Sequence, residues 1–426
     1  MKILFDRPLI MADTRKYVAV ENDIITYIGD NKPDGEFDRI ISGEHKMLMP
    51  GLYNCHTHIP MVLFRGYAED LPLQEWLEKK IFPAEDKLND ELVYTSSKFA
   101  IAEMIKNGIV SFTDMYSFSD KIAEAAVECG TKANIGRASL VFDPNLKLKD
   151  DFRFKEAENL FKNYHNAENG RIKIDMSVHA EYTNYYNFVC EVAEYTKQIG
   201  ANMHVHISET LFEHNGCIER HGMTPTEFFY KAGLFDSPTT AAHCVHITDN
   251  DMDLMSEKGV SVAHNPVSNL KLGSGVMRLP RMLDKGINVT FGTDGCASNN
   301  TQDILKEMYI AAILHKGVNL QPDIIPVNTI IKMATENGAK SQSRSDCGKI
   351  EAGYKADMIL INMDDINMIP MYDTESALYS INSSNVCMTM VDGKILYENG
   401  EFTTIDIEKL KYDMRDICAA TYSAKG

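Results

Sequence analysis

Residues 47–60 read Met-Leu-Met-Pro-Gly-Leu-Tyr-Asn-Cys-His-Thr-His-Ile-Pro. An apolar run meets Pro50-Gly51, resumes, and ends in two histidines separated by one residue. In an extended chain, side chains i and i+2 project to the same face. His56 and His58 can therefore reach one point in space, while Cys55 and Thr57 face away. Two neutral imidazoles converging at a strand end make half of a metal site. Standing alone, the pair reads equally well as two polar residues in a loop. Its weight comes from what recurs downstream.

After this first strand, strand-like and helix-like stretches alternate. Leu71 to Phe82 reads as helix. Asn89 or Asp90 can cap a second helix that buries Val93, Ala100, Ile101, Met104 and Ile105 and stops at Gly108. Further strands are expected at 109–113, 133–141, 172–178, 202–207, 239–242, 260–263 and 288–293. Helices are expected between them at 121–129, 155–168, 188–199 and 248–258. Thr224-Pro225-Thr226-Glu227 fits a capping box with Pro at the first helical position. Eight strands separated by helices predict a (β/α)₈ TIM-like barrel, in which functional groups collect at the C-terminal ends of the strands. The expected strand ends carry His or Asp repeatedly: His179, His243, His264 and Asp294.

Both chain ends read differently. Lys2–Phe5, Tyr17–Val20 and Ile24–Gly29 are short β runs, too few to close a core alone. Ala356–Ile361, Val386–Val391 and Lys394–Tyr397 offer partners, the last two joined by Asp392-Gly393, a strong hairpin signal. The expected division is a composite β-sandwich from 1–49 and 347–426, around a barrel spanning 50–346.

The chain has 426 residues, with Lys+Arg 43 against Asp+Glu 61, so 43 − 61 gives −18. So acidic a surface argues against nucleic-acid or anionic-membrane partners. Neither a basic leader with an apolar core nor an apolar run of bilayer length is visible, which predicts a cytoplasmic protein. Nine scattered Cys without a C-x-x-C read as reduced thiols.

Five stretches carry the chemistry: His56-Thr57-His58, Val178-His179, His204-Val205-His206-Ile207-Ser208-Glu209, His243-Cys244-Val245-His246 and Thr293-Asp294-Gly295. As a spaced set they resemble the amidohydrolase superfamily, in its branch with one divalent metal that deaminates cyclic amidine rings. The resemblance covers the whole chain. It implies that His56, His58, His206 and Asp294 hold the metal, zinc first, with iron also compatible. Three neutral imidazoles and one carboxylate leave such an ion net positive, able to lower the pKa of its water to about 7. It implies further that Glu209 shuttles protons between that water and the ring nitrogen, that His243 orients the water, and that Asp294 takes the second proton toward departing ammonia. A two-metal version of the superfamily uses a modified Lys at the end of the fourth strand. Here Lys173 lies near that strand's start and His179 at its end, which favours one metal. His204 and His246 read as structural, although His204 shares a face with His206. His264 divides evenly between site wall and turn structure. Cys55, Cys244 and Cys296 adjoin site residues on the wrong face and read as non-ligands.

Within the superfamily, Asp70-Leu-Pro-Leu73, Glu75-Trp-Leu77, Phe82-Pro-Ala-Glu85 and His264-Asn-Pro-Val-Ser-Asn-Leu-Lys-Leu272 are most similar to deaminases of S-adenosylhomocysteine and 5′-methylthioadenosine. That resemblance implies roles for Trp76 beside the purine or thioether, Glu85 on the ribose diol, His179 on the purine or its sugar, and Glu209 on the ring. It matches Arg137 to a group that holds an amino-acid carboxylate, with Arg153 as the candidate second arginine. If Arg153 is out of place, methylthioadenosine or adenosine becomes the better substrate. Trp76 reads equally as a core anchor. Two other readings stand beside this one: a deaminase or chlorohydrolase of guanine, a pterin or a triazine, and a barrel that serves only assembly. Oligomeric state is not legible in the residues; a homo-oligomer, dimer or tetramer, is implied by the resemblance alone.

Overall fold

The computed structural model describes residues 1–10, 14–71 and 73–422. Eight parallel strands form one sheet in strict chain order: β1 Leu52–Thr57, β2 Ile109–Tyr116, β3 Lys132–Ser139, β4 Ile172–Val178, β5 Met203–Ile207, β6 Thr239–His243, β7 Ser261–His264 and β8 Asn288–Phe291. Helices cover their outer faces, so the strands are buried on both sides and read as apolar runs, not alternations. Ile174, Val178, Val205 and Val262 are fully buried. Each such side chain contributes about 1.5–3 kcal/mol.

The sheet curls until β8 meets β1, and individual bonds close the gap. Asp294 N donates to His56 O at 2.9 Å, and Thr293 N donates to Asn54 Oδ1 at 3.0 Å. Gly292 permits this approach: a Cβ there would lie 2.7 Å from His56 Cβ. The eight-stranded barrel foreseen in the sequence is thus present.

Strand and helix bounds shift for local reasons. β2 runs on to Tyr116, and β8 ends at Phe291, leaving residues 292–294 to turn back over β1. The helix expected at 155–168 occupies Phe152–Tyr164. Asp151 caps it by accepting from Phe154 N at 2.8 Å, and left-handed residues Asn166, Glu168 and Asn169 follow. The stretch 71–82 is helical from Leu73, passes through a π-turn at Leu77–Ile81, and continues as Phe82–Glu85; Pro72 lies outside the described residues. Asn89 and Thr224 cap their helices as read, and Thr248 does so with Asp251.

Two further sheets draw on both ends of the chain. One, of four strands, has the order Ile24–Gly29, Tyr17–Glu21, Lys2–Asp6, Arg39–Ser42. The other sets Lys46–Pro50 antiparallel beside Met358–Asn362, which pairs onward with Val386–Val391 and its hairpin partner Lys394–Glu398. Between the sheets a separate apolar core unites Ile3, Phe5, Val20 and Leu48 with Met358, Leu360 and Met390. At the base of the barrel, buried Lys132 Nζ donates to both Asp357 oxygens at 2.6 and 2.7 Å, and also to Asp392. Among the described residues, no helix is long and apolar enough to cross a membrane.

Candidate active site

The strand ends surround a cleft of about 180 Å³, lined among others by His58, Trp76, Glu85, Arg137, His179, His206, Glu209, His243 and Asp294. The turns that present these groups are strained: Ser208, His243, Cys244 and Asp294 have φ of 48°, 70°, 50° and 61°. Left-handed backbone at non-glycine residues costs about 1–3 kcal/mol each and persists where surroundings over-determine it.

At the cleft floor, the tautomers of two histidines follow from their partners. His58 Nδ1 faces Met115 O at 2.6 Å, and His206 Nδ1 faces His179 O at 2.7 Å. A carbonyl only accepts, so both Nδ1 atoms carry the hydrogen and both Nε2 atoms keep a lone pair. Those two Nε2 atoms lie 3.3 Å apart. Asp294 Oδ1 is 3.3 Å from His58 Nε2 and 3.4 Å from His56 Nε2, and among the described residues buried His56 Nε2 has no hydrogen-bond partner. Lone pairs and a carboxylate aimed at one point repel unless a cation sits among them. The donor set fits a divalent metal ion. His56, His58 and His206 form one group able to hold it, and His56, His243 and Asp294 a second that shares His56.

The electrostatics agree. Burial pushes His56 down to about 3 and holds His206 well below the ordinary histidine value, with neighbouring imidazoles adding to both. Burial drives His179 to about 4. These rings stay neutral at pH 7. Burial works to raise Asp294, but His56, His58 and His243 outweigh it and hold the carboxyl well below its usual range. Its other oxygen, Oδ2, accepts from Ser268 Oγ and Ser298 Oγ, each at 2.7 Å.

Glu209 follows β5 at the cleft wall. Its Oε1 accepts from Ser274 Oγ at 3.0 Å, and its Oε2 is 3.8 Å from His243 Nε2. His243 Nδ1 faces Asn269 Oδ1 at 2.8 Å. Burial lowers the His243 pKa, yet Glu209 and Asp294 reverse the balance and the ring ends raised. His179, whose carbonyl orients His206, turns its own Nδ1 to Thr183 Oγ1 at 3.0 Å.

Trp76 also lines the cleft and donates Nε1 to Ala68 O at 3.2 Å. Glu85 Oε1 accepts from Tyr116 Oη. Burial raises the Glu85 pKa, with the Tyr116 hydroxyl opposing it. Arg137 reaches the cleft from β3 and donates Nε to Glu156 at 2.7 Å. Arg153 does not line the cleft. It lies at the start of its helix, 3.8 Å from Asp151 Oδ2, with its guanidinium 4.3 Å above the Phe152 ring. Asp151 begins that helix earlier than the sequence suggested, and burial together with the charge of Arg137 lowers the Arg153 pKa.

His204 and His246 take structural places: His204 Nε2 meets His56 Nδ1 at 3.0 Å, and His246 Nε2 meets Ser274 O at 2.6 Å. His264 is buried against His315 at 3.3 Å and does not line the cleft. Cys55, Cys244 and Cys296 are buried and belong to neither donor group. Sequence reasoning passed over Glu213, Ser268, Ser298 and Asp114. Glu213 accepts from Ser208 N and Glu209 N, both at 2.8 Å, and so fixes the turn that carries Glu209. Asp114 Oδ1 accepts from Ile59 N at 2.6 Å and from the Thr57 hydroxyl at 2.9 Å, fixing the turn between His56 and His58.

These features define a barrel built to gather a metal ion between its strand ends. Residues 47–396 match the amidohydrolase family, and the chain belongs to that family. A 5-methylthioadenosine/S-adenosylhomocysteine deaminase from Dictyoglomus thermophilum is 43% identical over 97% of this chain and 97% of its own. A 5′-deoxyadenosine deaminase from Methanocaldococcus jannaschii is 41% identical over 93% of this chain and 94% of its own. A crystal structure of an adenosine deaminase from Xanthomonas campestris with bound zinc superposes with TM-score 0.93 at 30% identity, covering 99% of this chain and 98% of that one.

Proposed function

We propose that this chain is a metal-dependent aminohydrolase that converts an adenine nucleoside to its inosine analogue and ammonia. The observation that carries the reading is one cleft that gathers the histidine–carboxylate cluster, Glu209 beside His243, and Glu85. His56, His58, His206 and Asp294 would hold the ion; zinc suits these nitrogen and oxygen donors, and iron is compatible with them. Bound there, the cation acts as a Lewis acid that brings the pKa of water to about 7.

The residues divide the remaining work. Glu209 takes a proton from the attacking water at Oε2 and passes it to the ring nitrogen, which weakens the ring's resistance to attack. His243, held through Nδ1 by Asn269, presents Nε2 to the same water and to Glu209. Asp294 accepts the second proton and delivers it to the departing amine. Glu85 accepts from the two ribose hydroxyls, a bidentate match for a diol. Trp76 covers the purine or the 5′ substituent, and His179 bonds the purine or its sugar. Free guanine, pterins and triazines have no diol for Glu85.

Arg137 is paired with Glu156, and Arg153 is turned toward Asp151 and Phe152. That pairing supports a small neutral 5′ group, methylthio, hydroxyl or hydrogen, ahead of the homocysteine zwitterion. The test is ammonia release from zinc-loaded protein given 5′-methylthioadenosine, 5′-deoxyadenosine, adenosine, S-adenosylhomocysteine, guanine, a pterin and a triazine. The expected ranking puts the neutral adenine ribonucleosides first. Turnover confined to a free base or triazine overturns the reading, and S-adenosylhomocysteine ranking first overturns the inference about the 5′ group.

A further inference from the structure

Glu307 lies in the first turn of the helix Ile304–Asn319 and is fully buried. Its two hydrogen-bond partners are neutral donors: Val267 N reaches Oε2 at 3.1 Å, and Asn299 Nδ2 reaches Oε1 at 2.6 Å. Burial lifts its pKa to about 8, against the opposing pull of both donors. A buried carboxyl bridging neutral groups is costly to keep, which directs attention to what the bridge joins.

Val267 belongs to the short helix Pro266–Lys271 that follows β7, and Asn299 ends the short helix Cys296–Asn299 that follows β8. The residue next to Val267 is Ser268, and the residue next to Asn299 is Ser298. Both hydroxyls donate to Asp294 Oδ2 at 2.7 Å. One residue further, Asn269 holds His243 Nδ1 at 2.8 Å. Asn299 Nδ2 also donates to Thr293 O at 2.7 Å, directly before Asp294. A single carboxyl outside the cleft therefore ties together the two short helices whose side chains hold Asp294 and His243.

We infer that Glu307 is a positioning residue for this centre: it clamps the short helices after β7 and β8 so that Asp294 keeps Oδ2 on the two serines and offers Oδ1 to the histidine cluster. The inference rests on the metal-dependent reading above and extends it to a group that touches neither metal ligand nor cleft.

Glu307→Gln tests it. The amide keeps the size but replaces one acceptor with a donor, so one of the two links is broken. Protein stripped of metal is titrated with cobalt(II), and its affinity and visible absorption are read with no substrate present. The folded variant is expected to bind cobalt about 10- to 100-fold more weakly, with a shifted spectrum. Its kcat for the best ribonucleoside should fall by a similar factor, with KM within about twofold of wild type. Wild-type cobalt affinity and spectrum in a folded variant, with only a lower melting temperature, overturn the clamp. Wild-type protein that binds cobalt yet deaminates no nucleoside sinks the aminohydrolase reading instead, leaving the cobalt comparison to judge the clamp. If Glu307→Gln does not fold, Asn299→Ser removes the Asn299 bonds to Glu307 and to Thr293 O while sparing the bond from Val267 N. It must show the same loss of affinity and spectral shift, and wild-type values there overturn the clamp equally.

Discussion

His204 Nε2 lies 3.0 Å from His56 Nδ1, in a fully buried contact beneath the cleft floor. If His56 Nδ1 donates to His204, His56 Nε2 keeps its lone pair for the cluster of Asp294 and the other histidines. In that arrangement His204 would hold the His56 ring in a ligating tautomer, as partners of metal-bound histidines commonly do. His204→Phe keeps the bulk and removes the acceptor. We expect zinc affinity about 10- to 100-fold weaker in competition with a chromophoric chelator. Affinity equal to wild type would show that His204 only fills space.

Glu209→Gln should keep the metal, because Glu209 stands outside both donor groups. Turnover should fall by roughly 10²–10⁴-fold, the range for loss of a positioned acid–base group. Metal content by elemental analysis and ammonia release together check this. A variant that retains both removes Glu209 from the chemistry.

Glu85→Ala should act on binding. Hydrogen bonds to a charged group are worth about 1.5–3 kcal/mol, or roughly 10- to 100-fold in KM for a ribonucleoside. The 2′-deoxy analogue, which lacks half of the diol, should lose far less from the same substitution. Equal losses for the two substrates would rule out the diol contact.

The pH dependence of stability isolates Glu213. Burial lifts its carboxyl from an ordinary 4.5 to about 7, with Glu209 N pulling the other way. A raised folded pKa means the folded chain binds that proton more tightly than the unfolded chain. The resulting stabilisation is complete below about pH 4.5 and is lost as pH rises through about 7. Glu213→Gln is neutral throughout and lacks this term. Melting temperatures of metal-free wild type and variant, followed from pH 4.5 to 8, should move in the variant's favour as pH rises. Parallel curves would contradict the assignment.

Much of this was legible before the structure. His56 and His58 announce themselves by alternate spacing next to a Pro-Gly break, and strand period alone aims both at one point. The eight strands were readable because parallel strands under helices are apolar throughout. What escaped the sequence is what depends on distant loops meeting. Ser268 and Ser298 share one oxygen of Asp294 from two different short helices, and no local spacing reports that. Glu213 did leave a mark, since Thr210 and Glu213 fit a capping pattern and Thr210 Oγ1 accepts from Glu213 N. The pattern says that a helix begins there; it does not say that the carboxylate folds back on Ser208 and Glu209. The contacts of Arg153, 3.8 Å from Asp151 Oδ2 and over the Phe152 ring, are set by a helix start that its spacing from Arg137 does not report.

The strand Lys46–Pro50 leads within two residues into the barrel strand that bears His56 and His58, yet its antiparallel neighbour is Met358–Asn362. During synthesis on a ribosome, the opening segment must wait, edge exposed, until the growing polypeptide has delivered that distant neighbour. Vectorial production therefore completes the histidine-bearing strand's foundation near the end of translation. A nascent chain halted before residue 358 should be a client for chaperones, and internal start sites that omit the first fifty residues should yield nothing able to fold.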